Sequence, residues 1–105
     1  MGEEKRTEEN IRGAEITDGQ MLWELLAAQQ GKTFYTAKKL PFVYEIKGGE
    51  MFVDRRKKSI TRATFDAALM KIRQDKEKQI TGPKKLNCFG APYVWALFKA
   101  MNLVE

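Results

Sequence analysis

The sequence predicts a single α+β domain, in which a three-stranded antiparallel meander is packed on one face by three helices in the order α-β-β-β-α-α. Three observations predict it: a hairpin pattern around a Gly-Gly pair, an amphipathic helical stripe on each side of that hairpin, and an apolar segment near the C-terminus. A chain of 105 residues has room for one such core. We therefore divide it into an acidic flexible tail over residues 1–16 and one domain over residues 17–105.

The first helix is predicted to begin at Thr17, because Thr17 and Gln20 have the spacing of a capping box. Apolar residues at helical spacing follow, and Gly31 is placed to end the helix in a left-handed conformation. Trp23 lies off the apolar stripe. We expect its ring to form a second contact surface or to be exposed.

The three strands are predicted over residues 32–36, 42–47 and 50–54, and residues 38–41 form the first connection. Gly48 and Gly49 supply the positive φ angles of a two-residue hairpin turn. This turn fixes the register, which pairs Lys47 with Glu50, Ile46 with Met51, Glu45 with Phe52, and Tyr44 with Val53. One face then carries only the apolar residues Phe42, Tyr44, Ile46, Met51 and Val53.

The second helix is predicted to follow an N-cap at Thr61, with Ile60 and Phe65 at the spacing of a hydrophobic staple. Its buried stripe comprises Phe65, Ala68, Leu69 and Ile72. Residues 81–85 resemble a turn, after which the chain returns to the core through Leu86, Cys88 and Phe89. The last helix begins near Pro92 and is apolar nearly all round, so it is predicted to be central.

Composition excludes several classes of protein. The chain has no histidine, which excludes His-based metal sites and His general bases, and its single cysteine excludes a disulfide within the chain. No apolar run approaches the roughly 20 residues of a membrane span, so no membrane partner is expected. The lone thiol, Cys88, is predicted to be a small buried core residue. With no signal peptide in the sequence, these features favour the cytoplasm.

Catalytic constellations are missing from the sequence. No nucleophile has a base to activate it, no spacing brings two carboxylates together, and no glycine-rich loop leads into a helix as a phosphate loop does. We therefore expect a non-enzymatic protein with no cofactor and no metal.

Basic residues dominate the body of the chain. Residues 32–105 carry sixteen Lys and Arg against seven Asp and Glu, although the whole chain has a net charge of only +5. The densest run enters the second helix and predicts an anion or nucleic-acid site formed by Arg55, Arg56, Lys57, Lys58, Ser59, Thr61 and Arg62. Lys84 and Lys85 form a secondary basic loop. The alternative is a solvated charge run that keeps an edge strand from pairing with another chain.

Two functions follow from this pattern. The first is a small nucleic-acid-associated or regulatory binding protein that contacts phosphates or another polyanion at the strand-to-helix junction. The second is a protein–protein interaction or accessory domain, homodimeric in its simplest form, whose surface is the second sheet face with Val43 and Phe52 or the Trp23 side of the first helix. A helix-turn-helix is excluded because the connection between the last two helices is far too long.

Two further expectations concern exposed rings and the tail. Phe34, Tyr35 and Phe52 are the aromatic residues expected to be available for stacking on single strands. The acidic tail is expected to compete with outside polyanions for the basic body, since a tethered segment acts at high effective concentration.

Overall fold

The computed structural model describes residues 18–104, so the predicted tail and Thr17 lie outside the described residues. The α+β class is confirmed, with four helices and two small antiparallel sheets within the described range. The helices are α1 (Gly19–Ala28), α2 (Arg62–Gln74), α3 (Pro83–Leu86) and α4 (Ala91–Ala100). The strands are β1 (Phe34–Tyr35), β2 (Pro41–Phe42), β3 (Tyr44–Lys47), β4 (Glu50–Val53) and β5 (Ile60–Thr61). None of the helices in residues 18–104 has the length and apolar character needed to cross a membrane.

The hairpin between β3 and β4 has the predicted register, with Tyr44 opposite Val53 and Lys47 opposite Glu50. Of the two turn glycines predicted to have positive φ angles, Gly48 has one, at 62°, whereas Gly49 does not, so the prediction for Gly49 is wrong. The predicted apolar face packs against the helices: Phe42, Tyr44, Met51 and Val53 are buried, and Ile46 is half-buried.

The strand predicted first, over residues 32–36, does not belong to the three-stranded sheet, so that part of the predicted meander is wrong. The strand that pairs with β4 is β5, in which Ile60 lies opposite Met51, whereas β1 pairs only with β2 in a separate two-stranded sheet. The two sheets separate at Val43, whose N–H donates to the side chain of Asp54 at 3.1 Å while the Asp54 N–H donates to the Val43 carbonyl. The Val43 N–H is thus bound by the Asp54 side chain and not by a backbone carbonyl of the neighbouring strand. The regular pattern of hydrogen bonds between strands is interrupted at this point.

The helix boundaries correct the prediction for α1 and confirm it for α2. Asp18, not Thr17, is the N-cap of α1, and its carboxylate accepts from the Met21 N–H at 2.9 Å. Gly31 has the expected positive φ angle, 88°. Thr61 caps α2 through a hydrogen bond from the Thr64 N–H. The staple residues, Ile60 and Phe65, are both fully buried.

The last helix occupies the centre of the core, as predicted, and its fully buried members are Val94, Leu97 and Phe98. Part of the segment predicted as a turn over residues 81–85 forms the short helix α3 instead, with Pro83 in its first turn. Between the sheet and α1, the Tyr44 hydroxyl donates to the Leu26 carbonyl at 2.6 Å. Burial raises the pKa of Tyr44 well above its usual range, so the hydroxyl keeps the proton that makes this bond.

Candidate functional site

The four consecutive cations lie on the loop that joins β4 to β5. Hydrogen-bonded strands hold both ends of this loop, because β4 pairs with both β3 and β5. The side chains of residues 55–58 are all exposed. The fold therefore holds these four exposed cations on a loop whose two ends are fixed by strand pairing.

Two of these cations contact one aromatic ring. The Arg56 guanidinium carbon lies 4.7 Å from the centroid of the Phe89 ring, and the Lys58 ammonium lies 5.8 Å from it. Such cation–π contacts contribute roughly 0.5–1 kcal/mol at exposed sites. They place the basic loop against the loop between α3 and α4.

The backbone around Phe89 explains why its ring faces outward. Asn87 and Gly90 both have positive φ angles, at 52° and 70°, so the chain turns sharply on each side of residues 88 and 89. Leu86 and Gly90 are buried, and Gly90 packs against the side chain of Ile60. Phe89 itself remains 38% exposed.

A third cation reaches the same loop from α2. The Lys71 ammonium donates to the Leu86 carbonyl at 2.6 Å, and its charge also acts on the neighbouring Cys88 thiol. Lys84 and Lys85 are exposed on α3, directly before Leu86. We call the surface formed by Arg56, Lys58, Lys71, Lys84, Lys85 and Phe89 the basic strip.

A carboxylate lies beside one end of the basic strip. Hydrogen bonds from the backbone N–H groups of Gln79 and Ile80 lower the pKa of Asp75, and the charges of Lys78 and Lys85 lower it further. The Asp75 carboxylate thus accepts hydrogen bonds from the backbone of its own loop, and it also interacts with the charge of Lys85.

The remaining predicted site residues do not join the basic strip. The Arg55 guanidinium donates to the Pro41 carbonyl at 3.3 Å. The Arg62 side chain lies 4.0 Å from the carboxylate of Asp66, one helical turn further along α2. Lys57 is exposed between the two cations that contact Phe89.

The hydroxyl groups predicted to bind an anion are engaged within the fold. The Ser59 hydroxyl donates to the Glu50 carboxylate at 2.6 Å, and the Thr61 hydroxyl is the α2 cap. The first backbone N–H of α2, from Arg62, donates to the Gly49 carbonyl at 2.8 Å. The N–H groups of Arg62 and Thr64 are thus used within the fold, which leaves the cationic side chains as the candidates for anion binding.

Of the two places predicted for a protein contact, the structure buries the ring of Trp23 and leaves Phe52 exposed on the outer sheet face. Trp23 is only 8% exposed, because its ring packs 5.7 Å from that of Phe65 and its indole N–H donates to the Gly48 carbonyl. Val43 is half-buried, whereas Phe52 is 42% exposed on the outer sheet face with the Lys47 ammonium 5.9 Å from its ring.

The rings expected to stack on single strands differ in availability. Phe34 is half-buried and stacks on Tyr44 at 5.9 Å between ring centroids, while Tyr35 is 60% exposed. Cys88 is half-buried rather than fully buried, and burial raises the pKa of its thiol, partly offset by the charge of Lys71. Across residues 18–104 there is no cluster of three or more Cys, Asp or Glu that could hold a metal ion.

Phe89 is the site residue that sequence reasoning missed, since its apolar neighbours assigned it to the core. The available signal was the pair Asn87 and Gly90, two residue types that favour positive φ angles and that bracket Cys88 and Phe89. No protein-family model matches this chain, and neither a curated protein nor a solved structure matches it significantly.

Proposed function

We propose that this chain is a small, non-enzymatic, cytoplasmic protein that binds nucleic acid through phosphate contacts at the basic strip. The observation that carries the proposal is the convergence of cations from two separate elements on the loop between α3 and α4. Arg56 and Lys58 reach it from the β4–β5 loop, and Lys71 reaches it from α2. Local sequence alone does not require this convergence.

Placing several cations close together is unfavourable because they repel one another. Phosphate groups bound between them would offset this repulsion. Lysine and arginine that neutralise phosphates also release the counterions condensed on the nucleic acid, which drives binding at low salt. Arginine adds bidentate hydrogen bonds to phosphate oxygens, whereas lysine acts as a point charge. The basic strip offers one arginine and four lysines for this purpose.

The protein-partner alternative has weaker support. On the outer sheet face, Phe52 is flanked by the charged residues Glu45 and Lys47, so it is an isolated exposed ring and not part of an apolar patch. Exposed apolar patches that mark a protein-binding site are contiguous and larger than a few hundred Å². For this reason we favour the basic strip as the functional surface.

The test is a fluorescence anisotropy titration of labelled oligonucleotides at about 50 and 200 mM salt. If about four phosphates are contacted, the association constant should fall roughly 50- to 150-fold over this range. The double variant Arg56→Glu with Lys58→Glu should abolish binding at both salt concentrations.

A matched control carries the same change in net charge elsewhere. Lys32 and Arg73 are exposed and lie outside the basic strip, and Arg73 is two residues from Lys71, on the opposite side of α2. Lys32→Glu with Arg73→Glu should retain most of the affinity. Equal losses in both double variants would show that net charge alone drives binding, and absence of binding at low salt would overturn the proposal.

A further inference from the structure

We propose that the nucleic acid bound at the basic strip is single-stranded, and that one unpaired base stacks on the pair formed by Phe89 and Arg56. This inference rests on the proposed function and names its ligand class. It adds a base contact to the phosphate contacts described above.

The first argument is the position of the ring. Phe89 is exposed between the half-buried Cys88 and the buried Gly90, and the turns at Asn87 and Gly90 hold it there. Because Gly90 is buried against Ile60, the loop is anchored in the core behind the ring. The platform is therefore positioned before any ligand arrives, which lowers the entropic cost of stacking.

The second argument is the pairing of the ring with a planar cation. Bases of single strands stack on aromatic rings and on arginine guanidinium planes, and cation–π contacts strengthen such platforms. Arg56 brings its guanidinium within 4.7 Å of the ring centroid, and the exposed Lys57 and Lys58 follow in the chain. A base on this platform would leave its flanking phosphates within reach of those lysines.

The third argument separates single strands from duplexes. In a duplex both faces of each base are already covered by its neighbours, so an aromatic ring gains access only as a wedge driven between base steps. Phe89 does not protrude as a wedge, because neighbouring groups cover more than half of it. A partly covered ring beside a guanidinium suits a base that is already unpaired.

The experiment compares probes of equal charge. Wild-type protein is titrated with a labelled oligothymidine of about 12 nucleotides, an oligouridine and an abasic oligomer of the same length, and a hairpin duplex that carries the same number of phosphates. We expect the abasic oligomer to bind about 5- to 100-fold more weakly than the two base-bearing single strands. Comparing the thymidine and uridine oligomers shows whether the platform also accepts a ribose strand.

Variants assign the effect to one ring. Phe89→Leu keeps an apolar side chain without an aromatic face, so it should bind oligothymidine and the abasic oligomer equally, whereas Phe89→Trp should keep the preference. Phe52→Ala is the matched control, because Phe52 is also an exposed ring beside a lysine, and it should keep the preference too. Near-ultraviolet circular dichroism checks that each variant is folded.

The outcomes distinguish this inference from the proposed function. Equal wild-type affinity for base-bearing and abasic oligomers, or tighter binding of the duplex, would overturn base stacking and leave phosphate binding in place. A preference that survives Phe89→Leu would likewise overturn it. Absence of salt-dependent binding to every probe would overturn the proposed function itself.

Discussion

Gly90 meets two constraints at one position. Its φ angle of 70° lies in the left-handed region, which costs a residue with a Cβ roughly 1–2 kcal/mol. A Cβ at Gly90 would also collide with the side chain of Ile60, which is fully buried between β4 and the helices. Glycine therefore lets the α3–α4 loop lie directly on the core while Phe89 faces outward.

We expect Gly90→Ala to lower the free energy of unfolding by more than Gly48→Ala. Gly48 has a similar φ angle, 62°, but no atom lies close to the position of an added Cβ. The Gly48 variant should thus lose about 1–2 kcal/mol from backbone strain alone. Chemical denaturation measures both values, and equal losses would show that Ile60 moves aside without cost.

The cations of the basic run show what sequence could and could not predict at this scale. Their exposure follows from their charge, and it was predicted. The partner of each cation is decided by the fold. Arg56 and Lys58 contact Phe89, whereas Arg55 contacts the Pro41 carbonyl and Arg62 lies near Asp66. Those partners are distant in the chain, so local pattern could not assign them.

Among the elements, the register of the β3–β4 hairpin was predictable because its information is local. The turn residues fix the register, and the alternation of apolar and polar side chains then sorts the two faces. Strand β5 has only two residues, and its pairing with Glu50 and Met51 is decided by the loop that returns it. Helix α3 was missed for a similar reason, since four residues carry no helical period.

The loop after α2 is organised by one carboxylate, and it gives a pH prediction. The pKa of Asp75 is lowered in the folded protein, so its contribution to stability is present above the unfolded value of about 3.9 and is lost as the pH falls through the folded value. Asp75→Asn should therefore lower the melting temperature at pH 7, and the difference from wild type should shrink as the pH falls below about 4. Thermal scans by circular dichroism measure it, and a difference that is constant with pH would contradict the role of the charge.

Over the whole molecule, charge is distributed so that the acidic tail, residues 1–16, precedes a basic body. Residues 1–16 contain five Glu and three Lys or Arg, whereas residues 32–105 have a net charge of +9. Deleting residues 1–16 should leave the fold intact and raise affinity for nucleic acid or heparin at low salt, because a tethered competitor has been removed. Arg56→Glu with Lys58→Glu should remove that gain, because these two cations belong to the basic strip, and anisotropy measures both effects. An unchanged affinity after truncation would show that the acidic tail does not compete with polyanions for the basic body.

The oligomeric state separates the two functional hypotheses at the same scale. Because charged side chains flank Phe52 on the outer sheet face, we expect sedimentation velocity to give the mass of one chain. A dimer that dissociates in a Phe52→Lys variant would instead support the protein-partner alternative. A dimer that persists in that variant would place the interface elsewhere.

The Gly48-Gly49 turn has a consequence for anyone who engineers this chain. A hairpin tip is the usual place to insert a tag or open new termini, since its backbone normally faces only water. Here the Gly48 carbonyl accepts from the Trp23 indole and the Gly49 carbonyl accepts from the Arg62 N–H, so the tip is tied to both α1 and α2. An insertion at this tip would release two helices at once. The turn at residues 37–38 connects only β1 and β2 and is the better site for a circular permutant.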